Sequence, residues 1–327
     1  SRKQLLRPQG LAEFPPMISL YCWFTWAVNF RTFLHLFHVK QHKTHNGFFL
    51  QCTDHAVSGE AFDLCFDLSE HMLATTPQPK IAALSKYYNS SSYISHAKHR
   101  KSIFDSAYFT VRKLTIKRKL KWVSGCYYEG ASILDFGAGI GHFVRAAQAK
   151  GWVSMGLETN QKARNIANSE KLATVFDINH IKSIKPQSQS AITLWHVLEH
   201  LPDYKQQLIK LKSLLKPSGR LFIAVPNFRS YDAAYFRQHW AAYDVPRHLW
   251  HFSKKAMVSI FDELDMEIER THPMIFDAFY VSLLSTKYQS GRYKPFKALW
   301  VGFLSNLKAR KTGEYSSLVF VVKHKNN

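Results

Sequence analysis

The stretch that most constrains this chain is Ile133–Phe143, ILDFGAGIGHF. A short apolar strand ends on Asp135, runs into Gly137, Gly139 and Gly141, and opens directly into the helix HFVRAAQAKG. Glycines at this spacing permit positive φ and let the backbone approach a ligand closely, and the following helix aims its free N–H groups at the same place. From about residue 131 the alternation continues. VSMGLET, ATVFD, SAITLWH and RLFIAVPN read as strands, and QKARNIANSEKL, YKQQLIKLKSLLKPSG and SKKAMVSIFDELD as helices. Pro217 and Gly219 stop the second of these helices, Ser253 caps the third, and SLVFVVKHKNN supplies a last strand. Such β-α-β alternation builds a doubly wound, mostly parallel sheet with helices on both faces, and ligands bind outside the carboxyl ends of its strands.

The second strand ends on Glu158, about twenty residues past the glycines, where a carboxylate can accept hydrogen bonds from two ribose hydroxyls. The loop itself reads G-x-G-x-G with an acid two residues before it; a dinucleotide loop, G-x-G-x-x-G, would place its third glycine at His142. The fourth strand runs into LWHVLEHLPD, which contains His196-x-x-Glu199-His200. On a continuous helix this would be a zinc-protease signature. Here it follows a strand and meets Pro202, the entrance to the next helix, so no metal ligands are assigned to it.

Ahead of this part the chain divides into residues 1–95, aromatic and poorly periodic, and a basic helical segment at 96–124 that links to the 125–327 domain. Residues 47–68 read as two short strands around a turn at Ser58-Gly59. From Lys98 to Lys121 there are nine Lys or Arg and one acid, Asp105, consistent with a helix whose basic back is solvated or offered to an anion. The whole chain carries 44 Lys and Arg against 23 Asp and Glu, a net +21, which favours anionic partners without choosing among them. The four cysteines contain no C-x-x-C pair, which excludes a disulfide framework or zinc ribbon and fits a cytoplasmic setting. The apolar run at 15–30 reaches Asn29 and Arg31 short of the ~20 residues a membrane span needs.

Taken in order, LDFGAGIG, GLE, LWHVLEHLPD, LLKPSGRLFIAVPN and AAYDVPRHLWHFS resemble bacterial class I S-adenosylmethionine-dependent methyltransferases of the ubiquinone-methyltransferase-like group, the Methyltransf_23 type. DHAVSGEAFDL and KYYNSSSYISH resemble the leader of these proteins. The resemblance implies a Rossmann-like sheet with an N-terminal α+β extension and S-adenosylmethionine as cofactor. Asp135, Phe136, Gly137, Ala138, Gly139 and Gly141 would cradle its amino-acid part, Glu158 and Thr159 its ribose, and Asp177 and Ile178 its adenine. Trp195 and His196 would lie beside the methionine, with Tyr88 and Tyr93 serving as a lid or as ordinary core aromatics. The family's cysteine-rich zinc-ribbon-like start has no counterpart here, and Ser190 stands where an acid often precedes the fourth strand.

A sulfonium methyl is already activated, so transfer needs in-line placement of a nucleophile and a base to deprotonate it. YDVPRHLWHFS gathers Tyr243, Arg247, His248 and His251 after the fifth strand, within an insertion at about 228–311, and His200 lies beyond the fourth. His248 or His251 is the expected general base, and Arg247 is expected to steer an anionic group. The expected acceptor is a small molecule, a sugar, glycan or lipid- or quinone-like compound, methylated on oxygen or carbon. An RNA methyltransferase and a non-catalytic cofactor-binding protein are the alternatives, nucleic acid being the less favoured partner. The segments at 276–288 and 293–311 read as a substrate wall or as an interfacial surface for peripheral membrane contact.

Overall fold

A computed structural model of the chain describes residues 47–67, 71–88, 103–169 and 174–325. The long basic segment forms helix α1 (Ile103–Val123). Strand β4 (Ser132–Phe136) follows and carries Ile133, Leu134 and Phe136 fully inside, as a strand flanked on both sides and covered on both faces must. Then come α2 (His142–Gln148), β5 (Val153–Glu158), α3 (Gln161–Asn168), β6 (Val175–Asp177), β7 (Gln189–Trp195), α4 (Tyr204–Leu214) and β8 (Leu215–Pro226). The insertion opens with α5 (Tyr231–Phe236), and after it come α6 (Lys254–Glu263), β10 (Met266–Pro273), the hairpin α7 (Asp277–Ser290) and α8 (Pro295–Thr312), and β11 (Ser317–His324).

The seven strands lie in the order β10-β11-β8-β7-β4-β5-β6. β4, β5, β6, β7 and β8 pair in parallel, and β11 runs against both its neighbours. The protein therefore has a Rossmann-like α/β fold with a mostly parallel seven-stranded sheet and an N-terminal extension. The chain winds outward from β4 to β6 and then returns to lay β7 on the other side of β4. That reversal opens a crevice between the carboxyl ends of β4 and β7, and the expected site residues cluster at those ends.

The extension forms a second, antiparallel sheet. Its strands are β1 (Phe48–Thr53), β2 (Ala61–Asp67), β3 (Met72–Thr76) and the short β9 (Trp250–His251), in that order. The two strands expected at 47–68 are thus joined by a third and by a strand from the insertion: Leu73 pairs with His251 and Ala74 with Trp250. The described residues all fall within one compact unit. Helix α4 ends at Leu214 rather than at Pro217, and Leu215–Pro226 is a single strand. Pro217 restricts the residue before it to extended backbone, and Leu215 already pairs with Gln189, so the sheet captures the segment. Ser253 caps α6 as expected, its hydroxyl accepting from the Ala256 N–H at 3.1 Å.

A buried carboxylate binds the insertion to the sheet. Asp232 on α5, fully inside, accepts from the Trp240 indole at 2.7 Å, from Ser305 on α8 at 2.6 Å and from Ser316 beside β11 at 2.7 Å. Asp232→Ala strands three buried donors, each costing about 1–3 kcal/mol. Urea denaturation is expected to show a loss of at least about 3 kcal/mol at unchanged slope.

Candidate active site

The glycine loop takes the conformation its sequence demands. Gly137, Gly139 and Gly141 all have positive φ, and a Cβ on Gly137 would stand 2.5 Å from a Val197 methyl. Open space surrounds Gly139, so the loop presents bare backbone to the crevice. Glu158, at the end of β5, is buried beside it: one oxygen accepts from the Gly139 N–H at 2.8 Å, the other from the Asn160 N–H at 2.8 Å and from Thr159 at 3.3 Å. A carboxylate oxygen has two acceptor positions, so the oxygen that faces Gly139 keeps capacity for a further donor. Asp177 ends β6, caps the turn Ile178–Ser183 through the Asn179 N–H at 3.0 Å and pairs with Arg164 at 3.0 Å. Ile178 is half-buried against the main core. The residues expected around a ribose and an adenine thus stand at the ends of β5 and β6.

Asp135 is buried at the end of β4 and accepts from Thr193 of β7 at 2.6 Å. Burial pushes its carboxyl up to about 7; the Thr193 bond and the nearby Lys119 ammonium oppose the rise. Lys119 comes from α1 and lies 4.4 Å from the centre of the Trp195 ring. Burial pulls this lysine down to about 8 against the attraction of Asp135 and Asp277. Trp195 is further packed edge-on to Phe143, with ring centres 5.3 Å apart.

At the end of β7 the chain turns sharply. His196 adopts a left-handed backbone, φ 58°, a conformation that a non-glycine residue keeps only where its surroundings hold it. His196 Nε2 lies 3.1 Å from Asp277 of α7 and Nδ1 3.4 Å from Glu199. Burial lowers its pKa, but the two carboxylates outweigh burial and raise it to about 9. Leu198–His200 is a single 3-10 turn, so His196 and His200 do not share a helical face, and the protease geometry is absent.

A different cluster forms instead. Glu199 is fully buried and neither carboxylate oxygen receives a hydrogen bond. His200 and His248 face it, and one ligand atom from each of the three residues lies within 4.8 Å of the others. His248 Nδ1–H donates to the Ala242 carbonyl at 2.9 Å, which leaves Nε2 as its free nitrogen, 4.0 Å from both Glu199 and Asp244. His200 Nδ1 donates to the Arg247 carbonyl at 3.0 Å and meets the Tyr88 hydroxyl at 3.1 Å. Burial, and then the charge of His248, bring the His200 pKa down to about 4. Such an arrangement can take up one proton or hold one cation.

The remaining expected residues occupy other roles. His251 is buried at the end of β9, 3.0 Å from the Thr75 hydroxyl, and burial beside His248 keeps its pKa well below the usual range. Tyr243 is buried edge-on against Trp240 and His251, and burial raises its pKa. Arg247, expected to steer an anionic group, is engaged by the protein itself. Its guanidinium is buried and committed to Asp54 at 2.9 Å, Asp244 at 2.7 and 3.0 Å and the Tyr87 carbonyl at 3.1 Å. Tyr93 lies outside the described residues. Sequence reasoning missed Asp277, Lys119, Thr193 and Asp244; Asp277 and Lys119 reach the site from elements whose position is set only by the fold.

Residues 110–271 match the model of a family described as a methyltransferase domain. Over this stretch, just under half of its length, the chain is similar to that family. Among characterised proteins, the ubiquinone biosynthesis O-methyltransferase of Vibrio atlanticus is 29% identical over 111 residues, which cover 31% of this chain and 47% of that one. The corresponding protein of Paraburkholderia phymatum is 26% identical over 139 residues, covering 39% and 60%. The chain thus spans about half the length of the curated relatives it matches. The crystal structure of magnesium protoporphyrin IX methyltransferase from Synechocystis with bound SAH superimposes with a TM-score of 0.51 at 12% identity, over 75% of this chain and all of that one. At that identity the likeness is one of fold.

Arg247→Met separates structure from substrate steering. It leaves Asp54 and Asp244 without their buried partner, and removal of one partner of such a pair costs about 3–5 kcal/mol. The expected outcome is a large fall in melting temperature; an unchanged melting curve would return Arg247 to a ligand-facing role.

Proposed function

We propose that the protein is an S-adenosylmethionine-dependent methyltransferase acting on a hydroxyl group of a small, lipid- or quinone-like acceptor. The observation that carries this reading is the Glu158 carboxylate beside the open Gly139 backbone at the strand-order reversal, a place suited to a nucleoside whose other end is an amino acid. The relatives that act in ubiquinone biosynthesis support the quinone-like acceptor. Asp135 meets the cofactor's ammonium, Glu158 its ribose, Asp177 and Ile178 its adenine edge, and Trp195 and His196 border the methionine. Tyr88, tethered to His200, borders the acceptor side.

His248 is the general base in this reading. Its Nδ1–H is fixed on the Ala242 carbonyl, so Nε2 accepts the acceptor's hydroxyl proton, and Glu199 and Asp244 stabilise the imidazolium that forms. The His251 ring centre lies 6.4 Å from that of His248. His248→Ala is expected to lower kcat by about 10²–10³ with cofactor affinity unchanged; mild losses in both His248→Ala and His251→Ala would remove the base from the mechanism. The convergence of Glu199, His200 and His248 favours a second reading, in which these three hold a divalent cation that binds the ionised hydroxyl. Dialysis against a chelator distinguishes the two: activity that survives supports the base, and activity lost and restored by added Mg²⁺ or Zn²⁺ supports the cation.

Calorimetric titration with S-adenosylhomocysteine tests the cofactor. Saturable binding is expected, weakened about tenfold to a hundredfold in Glu158→Ala by loss of charge-assisted hydrogen bonds. A folded wild type that does not bind overturns the proposal. The same titration has a pH signature. The ligand's ammonium favours ionised Asp135, whereas the free site holds its proton below about 7. Binding therefore expels a proton at low pH, and affinity is expected to rise about tenfold from pH 6 to 8 and then level off. Asp135→Asn should bind more weakly and lose this slope.

A further inference from the structure

Helix α8 is built inside out for a surface helix. Its inward face is made of Ala298, Val301, Gly302, Ser305 and Ala309, while its large apolar residues point outward. Phe296 is 89% exposed, Trp300 57%, Leu299 56%, Phe303 51% and Leu307 45%, and their spacing of three and four places all five on one stripe. Helix α7 matches it with an inward face of Ala278, Ser282, Ser285 and Thr286. The two helices approach closely: a Cβ on Gly302 would come within 2.6 Å of the Phe279 ring. Small residues between helices and bulky apolar residues outside is the pattern of helices that meet lipid rather than water.

The charge around this stripe is of one sign. Residues 278–313 contain seven Lys or Arg, at 287, 292, 294, 297, 308, 310 and 311, and no Asp or Glu, a local +7 within a net +21. Arg292 and Lys294 stand at the head of the stripe, Arg310 and Lys311 at its foot, and Lys297 and Lys308 fold back over Tyr235 and Tyr231. No described helix is long and apolar enough to cross a membrane, so the helix suits the plane of an interface.

We propose that the outward face of α8 docks on an anionic bilayer, with Phe296, Leu299, Trp300, Phe303 and Leu307 entering the acyl boundary and the basic residues meeting acidic headgroups. The hairpin begins at Asp277, which holds His196, so docking brings the crevice to the bilayer surface, where an apolar acceptor would reside. The docking does not require the methyl-transfer reading, and the test scores the two separately. The whole chain is floated with vesicles of phosphatidylcholine alone or with about one quarter phosphatidylglycerol, beside the variant F296E/W300E/F303E, whose sites are exposed enough to leave the fold intact. Wild type is expected to float with the anionic vesicles and not the neutral ones, and the variant to partition at least about tenfold less. S-adenosylhomocysteine titration of both proteins verifies that the variant is folded and reports on the cofactor reading independently. Wild type that stays with the soluble fraction, or a variant that floats equally well, overturns the proposal. So does light scattering that finds a wild-type dimer and a variant monomer, since the stripe would then be covered by a second copy.

Discussion

The arrangement of this site depends on a single buried guanidinium. Arg247 joins Asp54 of the antiparallel sheet, Asp244 of the insertion and the Tyr87 carbonyl, while its own carbonyl receives His200. Taking that charge out of water is costly, and only the two carboxylates make it tolerable. Around it fall the Glu199, His200 and His248 side chains, each from a segment that Arg247 touches or adjoins. The N-terminal sheet is therefore part of the site's scaffold: it supplies Asp54, and its strand β3 pairs with the very segment that carries His251.

What was legible in the sequence is what local chemistry dictates. Asp135, the three glycines and Glu158 are recognisable because strand, turn and helix succeed one another within about twenty-five residues, and positive φ demands glycine at each turn position. The cap at Ser253 was legible for the same reason. What was not legible is pairing over distance. Leu73 meets His251 and Asp54 meets Arg247 across nearly two hundred residues, and no periodicity announces either contact. Arg247, placed after the fifth strand, was expected to steer an anionic group; Asp244 stands three residues before it, but its second acid, Asp54, is far away in the chain. The His-x-x-Glu-His string has a spacing that belongs to a helix, whereas the chain here makes a strand end and a single turn.

The apolar residues of α8 illustrate a related limit. Periodicity reports which residues share a face, not which face turns inward, and the usual assumption assigns the bulky stripe to the core. Here the small residues win the interior because α7 offers small residues too, and backbone proximity replaces side-chain interdigitation. The folded chain therefore leaves exposed an apolar stripe that a purely aqueous protein would bury.

The basic helix α1 completes this reasoning. A run of Lys and Arg on a helix ordinarily means a solvated back, and for Lys113 and Lys117, both exposed, it does. Lys119 departs from that pattern. It lies over Trp195, between Asp135 and Asp277, so one cation of a seemingly generic charge run sits at the crevice and competes for the carboxylate expected to meet a ligand's ammonium. Two like charges cannot share Asp135 without loss, and the lysine, already drawn down to about 8 by burial, is the partner that can yield by moving or by releasing its proton. Helix α1 thus contributes a buried cation to the charge balance around Asp135.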